Sequence, residues 1–318
     1  MKFLIMKSKK ITVNLNKHVK YLFTIVFIAF YLISSAQIDD KNEEEVNQVK
    51  KNKIQTGFYI GSYFANNYSA STYNGYGYDL NGDQNTFLNS VMYQKIKNIY
   101  GGGFGQYDQI ANALSVDQGQ WEFNESDMPR NMSYIPSILV GLNFKIPLVN
   151  NSAFTFNLNS AKLVVEGNFN ITLLKVSGTN PALNSNIKTF PIKGSEQRTL
   201  FQLGYQKIFG DHQKMNFFLE IGFNGTLTKY NSSTIYINDL QIDLTYTNNI
   251  NNIPVINSTK NLIGFGIGAY GGLGLNINLN SQFTAQFLYS PSQEKVNIGN
   301  NPTLKIQNGV GFRLYYNF

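Results

Sequence analysis

From residue 55 onward, apolar and polar residues alternate with period two, the spacing of a β-strand whose two faces meet different surroundings. Ile138, Val140, Leu142, Phe144 and Ile146 alternate with Ser137, Gly141, Asn143 and Lys145. Leu163, Val165, Phe169, Ile171 and Leu173 alternate with Glu166, Asn168, Asn170 and Thr172. Phe217, Leu219, Ile221, Phe223 and Leu227 alternate with Glu220, Asn224 and Thr226. Ile263, Phe265 and Ile267 alternate with a glycine stripe running from Gly264 to Gly274. The pattern predicts eight strands, at about 55–65, 133–147, 161–176, 197–209, 214–228, 260–277, 282–290 and 303–318. Most exceed the usual soluble strand of about 5–6 residues. They reach the roughly 9–11 residues that a tilted strand needs to cross a bilayer. The apolar series, Phe223 and Ile267 among them, are therefore assigned to lipid, and the alternating set, Asn224 and the glycine stripe included, to a lumen.

Two places disturb the pattern. Phe154, Phe156 and Leu158 have the opposite parity from Leu163, which predicts a bulge near Asn159-Ser160. Asn238-Asp239, between Ile235–Ile237 and Leu240–Leu244, predicts an extracellular hairpin. Counting its arms as spanning strands gives the alternative, a ten-stranded barrel.

Connection lengths add sidedness. Asn150-Asn151-Ser152, Gly210 to Gln213 and Asn278 to Ser281 are short turns. The connections 66–132, 177–196, 229–259 and 291–302 are long. Short turns on one side and long loops on the other are the asymmetry of an outer-membrane barrel. The fold class is thus all-β, an antiparallel up-and-down transmembrane β-barrel of eight strands. Its first loop, 66–132, is too long for a plain connection. Leu88, Val91, Met92, Ile96 and Ile99 have helical spacing over 85–99, Gly101 to Gly103 end that helix, and Ile110, Ala113 and Leu114 suggest another. Trp121, the single tryptophan, is the expected anchor of an ordered extracellular loop.

Composition changes the reading at the N-terminus. The formal charge of +7 points to nucleic acid until it is localised. Six lysines and no acid lie in the first 36 residues, leaving 20 basic and 19 acidic residues. Those lysines precede the apolar run Tyr21–Ile33 and the small residues Ser34-Ser35-Ala36. Residues 1–36 therefore read as a secretory signal peptide, 37–54 as a charged periplasmic tail, and 55–318 as the barrel. No nucleic-acid partner is expected.

Candidate chemistry is sparse. There is no cysteine, and of the two histidines His18 lies in the signal and His212 in a short turn. A histidine-based hydrolase at the extracellular rim is excluded, and no enzyme activity or cofactor is expected. Asp79, Asn81 and Asp83 have the 1, 3, 5 spacing of a calcium loop. Gln84 stands where glycine belongs and Ser90 where the acid belongs, so an Asx-rich turn is favoured and no metal is expected. Gly101 to Gly105 lack the Lys-Ser/Thr of a phosphate loop. Lys145, Glu166, Glu220 and Arg313 share inward parity and are expected to pair in the lumen, Lys145 with Glu166 and Glu220 with Arg313.

The terminal Phe318, with Phe312, Leu314 and Tyr316 on its face, resembles the assembly signal of Gram-negative outer-membrane barrels. The Ser-Ser-Ala-Gln cleavage region and the Tyr- and Asn-rich strands resemble small barrels of the Bacteroidota. The resemblance implies the cell outer membrane, with lipid, the barrel-assembly machinery and other envelope proteins as partners. Within it, the reading is a non-enzymatic surface or accessory protein acting through its loops, with a secretion or surface-assembly machine as one setting. A narrow channel for small or amphipathic solutes is the alternative.

Overall fold

A computed structural model describes residues 54–78, 83–97, 106–148, 150–174, 186–210, 214–245, 263–298 and 304–317. The signal peptide and nearly all of the tail therefore lie outside the described residues. Among those described, eight long strands form a closed antiparallel ring. They are β1 (Gln55–Phe64), β4 (Ser137–Leu148), β5 (Ser152–Leu173), β6 (Ile187–Phe209), β7 (Met215–Ile237), β9 (Ile263–Asn278), β10 (Phe283–Lys295) and β11 (Leu304–Asn317). The order β5-β4-β1-β11-β10-β9-β7-β6 closes through β6 pairing β5. Three short strands lie outside the ring: β2 (Trp121–Glu122) and β3 (Ser133–Ile135) pair β5, and β8 (Leu240–Asp243) pairs β7. The ten-stranded alternative fails, because the hairpin arm β8 is four residues long and pairs β7 alone.

Pairing also fixes the tilt. From Ala161, paired residues lead one way through Leu139, Gly61, Gly311 and Leu288 to Gly274. The other way they lead through Arg198 and Thr228 to Gly264. The two arrivals on β9 differ by ten residues (274 − 264). That stagger on eight strands corresponds to a tilt of about 40°. On β7 the outward apolar series from Phe217 to Leu227 then covers a height of about 25 Å.

The turns follow local chemistry. Asn150 and Asn151 both take positive φ (59° and 53°), the backbone of a tight hairpin turn that asparagine tolerates. Gly266 and Gly268 allow β10 to press against β9. A Cβ there would lie 1.8 Å and 1.7 Å from the carbonyl oxygens of Lys295 and Gln293.

No bulge interrupts β5 at Asn159-Ser160, since its pairing to β4 and β6 runs through both residues in one register. β5 begins at Ser152 rather than 161, and β5, β6 and β7 are 22–23 residues long. That is about twice what crosses a bilayer. The parity change is instead a change of surroundings along a continuous strand. Low on β5, Thr155, Asn157 and Asn159 face inward and Phe154, Phe156 and Leu158 outward. High on β5 the same inward face carries Leu163, Val165, Phe169 and Ile171, all buried, while Lys162, Glu166 and Asn168 point out. β6 inverts likewise, from outward Phe201, Leu203 and Tyr205 to outward Lys193, Ser195 and Gln197 above them. A register shift against Ser195 and Glu196 leaves Asn231 of β7 without an opposite residue, which makes this the bulge.

Candidate functional site

The upper halves of β5–β7 carry the core of a domain on the long-loop side. The segment between β1 and β4 supplies the other half: the 3-10 turn Ser69–Tyr73, the helices Val91–Lys97 and Gln106–Leu114, and β2 and β3. Val91, Met92, Ile96, Ile110, Trp121 and Phe123 are buried in one cluster with Leu163, Phe169, Ile171, Phe190 and Ile192. The helix predicted over 85–99 starts at Val91, with Leu88 exposed in the preceding turn, and its expected end at Ile99 lies outside the described residues. Gly101 to Gly105 lie outside the described residues. Trp121 is 1% exposed and pairs in register with Leu173 of β5. Its fluorescence is expected to be blue-shifted and shielded from acrylamide in the folded protein. Emission at the wavelength of free tryptophan would show that the loop is not a packed unit.

This lid enters the barrel mouth. Tyr73 stacks on Tyr230 of β7, with ring centroids 4.9 Å apart and planes 3° from parallel. Its hydroxyl donates to Glu196 Oε2 at 2.8 Å. Burial, reinforced by the Glu196 charge, pushes the Tyr73 phenol well above the ordinary tyrosine range. Beneath it, Arg198 donates from Nε to Glu196 Oε1 at 2.7 Å, from Nη1 to Tyr63 Oη at 3.2 Å, and from Nη2 to Ser69 Oγ and Tyr134 Oη at 3.1 Å. Tyr63 in turn donates to Glu294 Oε2 at 2.7 Å, and Ser292 to Glu294 Oε1 at 2.6 Å. Lid, β1, β6 and β10 are thus tied through one buried guanidinium.

A second polar layer fills the lumen nearer the short turns. Arg313 Nη1 lies 2.5 Å from Glu220 Oε2. Glu220 Oε1 accepts from Tyr270 at 2.7 Å and from Asn157 and Thr155 at 3.1 Å, and Oε2 accepts from Gln206 at 3.1 Å. Gln286 extends the layer to Asn276 at 2.8 Å. Between the layers is a cavity of about 10 Å³ lined by Tyr59, Asn159, Leu200, Gln202 and Arg313 among others. That is room for about one water molecule and for no larger solute.

The structure therefore brings Glu220 and Arg313 together and separates the other expected pair. Lys145 is buried in the lower lumen, opposite Thr155 of β5 and 5.7 Å from the Tyr315 ring. Glu166 is eleven residues further up β5 and faces out, where Lys193 Nζ holds it at 3.0 Å. The misassignment came from reading Leu163 and Val165 as lipid-facing, when they face the lid core. Glu196 and Glu294 fall in the connections expected at 177–196 and 291–302, which the structure instead continues as β6 and β10, and Arg198, at the expected strand edge at 197, carries no partner assigned from the sequence. The sequence signal was present in the equal parity of Glu196 and Arg198 with Leu200 and Gln202. Phe312, Leu314 and Tyr316 lie on the outer face of β11, Phe312 with its ring 5.0 Å from Phe287. Phe318, His212, Asp79 and Asn81 lie outside the described residues, and Asp83 is exposed.

No protein-family model and no curated protein matches the chain. Among solved structures it is similar to Neisserial surface protein A, with 5% identity and a TM-score of 0.37 over 84% of this chain and 98% of that one. It is similar to Ail, the attachment invasion locus protein of Yersinia pestis, with 8% identity and a TM-score of 0.32 over 84% of this chain and 99% of Ail. The N-terminal β-barrel domain of Pseudomonas aeruginosa OprF gives 12% identity and a TM-score of 0.30 over 60% of this chain and 99% of that domain. The barrel rests on the strand pairings, not on these likenesses.

Proposed function

We propose that this chain is an outer-membrane barrel with a closed lumen that works at the cell surface through its lid, as a non-enzymatic accessory protein. Two features support the location. Every strand of the ring presents exposed apolar residues outward, among them Phe58, Leu142, Phe154, Leu203, Phe223, Ile267, Phe287 and Val310. A continuous band of this size is far beyond the apolar patch of a soluble monomer. The band then gives way to outward polar residues on β5 and β6, as expected where strands leave lipid for water. Phe223→Arg is expected to cost roughly 2–4 kcal/mol in bilayer refolding. Thr234→Arg, outward but above the inversion, should stay within about 0.5 kcal/mol of the parent. Equal effects of the two substitutions would remove the membrane assignment.

The observation that carries the accessory reading is the double closure of the lumen. The Glu220–Arg313 layer links β5, β6, β7, β9 and β11 across the lumen, and the Arg198 layer links β1, β6 and β10 to the lid above. An eight-stranded barrel has an interior that side chains can fill, and here they do. Among the described residues these buried side chains reach into the lumen at two heights, which favours an accessory role over a channel. The long-loop side, by contrast, presents an ordered domain with its own core, which is the expensive part of the chain to maintain and so the part to connect with function. Outer-membrane lipid, the assembly machinery and other envelope proteins are its proposed partners. The test has two arms. In planar bilayers the purified protein should pass no steady current. After mild detergent extraction from its own cells it should co-purify with an envelope protein, and that partner should be lost when 66–132 is replaced by a short turn. Stable conductance of the parent would return the reading to a channel.

A further inference from the structure

The border where the outward face turns polar is chemically uneven. On β5 the series Phe154, Phe156 and Leu158 is followed outward by Ser160 and Lys162. On β6, Tyr205, Leu203 and Phe201 are followed by Thr199 and Gln197. On β7, Ile221, Phe223 and Leu227 are followed by Lys229. Lys162 pairs in register with Gln197, and Gln197 with Lys229. The two lysines stand one strand apart on the same face, so their backbones are about 9.5 Å from each other. Both are exposed, and among the described residues neither makes an ion pair. The outward acid on β5, Glu166, is already held by Lys193 at 3.0 Å. Over β1, β3 and β4 the same border has Ser62, Phe64, Ile135 and Ser137 and no cation.

We infer that Lys162 and Lys229, with Gln197 between them, form a binding face for the phosphate groups of the surrounding outer-leaflet lipid. The inference rests on the membrane reading above. Lysines at the edge of an apolar band lay their stems along it and carry their ammonium groups to headgroup level. Each is then a compact, hydrated point charge with three donors, suited to a phosphate oxygen. Two such groups one strand apart, with an amide between and no competing carboxylate, give that level of β5–β7 an attraction that β1 and β4 lack. A bound lipid there would sit directly beneath the projecting sheet that carries the lid.

The experiment places the folded protein in phosphatidylcholine nanodiscs doped with lipid A or with dephosphorylated lipid A. Retained lipid is counted by native mass spectrometry after stepwise delipidation. The parent should retain lipid A at least five-fold better than the dephosphorylated form. Lys162→Gln/Lys229→Gln should abolish that preference, Lys162→Arg/Lys229→Arg should keep it, and Lys214→Gln at the short-turn side should leave it unchanged. Heat-modifiable gel mobility checks that each variant is folded. Equal retention of the two lipids by the parent, or an unchanged preference in the glutamine variant, overturns the inference while the membrane reading stands. Displacement of lipid A by inorganic polyphosphate at equal phosphate concentration would identify a soluble polyanion as the occupant and overturn it too. A folded parent that stays out of the nanodiscs overturns both readings together.

Discussion

Glu220→Ala is expected to destabilise the refolded barrel by roughly 3–5 kcal/mol, the cost of stranding one member of a buried charge pair. Glu220 and Arg313 are essentially buried, and the carboxylate accepts hydrogen bonds from Arg313, Tyr270, Asn157, Thr155 and Gln206. The alanine variant leaves the guanidinium without its counter-charge and those neutral donors without their acceptor. A simple ion pair can often be exchanged for two apolar residues at little cost. Here Glu220→Leu/Arg313→Leu should recover only part of the loss. Tyr270, Asn157 and Gln206 would keep buried donors with no carboxylate, at about 1–3 kcal/mol each where no new partner forms. Urea unfolding in detergent or bilayer, run as a double-mutant cycle, measures both. A single variant within about 1 kcal/mol of the parent, the resolution of such comparisons, would show that the layer is hydrated rather than closed.

Arg198→Met should have an effect of similar size with a different signature. Arg198 is the one cation in contact with Glu196 and Glu294 among the described residues, and it also holds Ser69 and Tyr134. Its loss leaves two buried carboxylates without a counter-charge, a penalty of roughly 3–5 kcal/mol. Because Ser69 and Tyr73 belong to the lid, the damage should fall on the lid first. Proteolysis within 66–132 should accelerate well before the barrel unfolds. Adding Glu196→Gln and Glu294→Gln removes the stranded charges, and should restore much of the stability without restoring the Ser69 contact. If lid cleavage in Arg198→Met stays at the parent's rate, the guanidinium does not fasten the lid.

Both predictions concern layers that the sequence revealed unequally. Glu220 and Arg313 were legible as a pair because each lies near the short-turn end of a strand whose other face is plainly apolar. At that level the outside is uniform, so parity alone says which side chains face in. Arg198 lies in a stretch where the outward neighbours are Gln197 and Thr199, and period two says only that two faces differ. It does not say which of them is wet.

What depends on local chemistry and spacing was legible in the sequence: the strands and their approximate number, the tight turns at Asn150-Asn151 and Asn238-Asp239, the outward assignment of Phe223 and Ile267, and the burial of Trp121. What depends on the surroundings at each height needed the folded ring. Along β5 and β6 the outward side chains change from apolar to polar, and the inward ones from the polar lumen to the apolar lid core. The apolar residues therefore cross from one face to the other with no break in the strand. That inversion placed Glu166 outside with Lys193, put Leu163 and Val165 inside, and set Arg198 between barrel and lid. A residue's parity is a property of its own strand, whereas the medium it meets is made by segments distant in the chain, and only the closed ring and its lid bring those together.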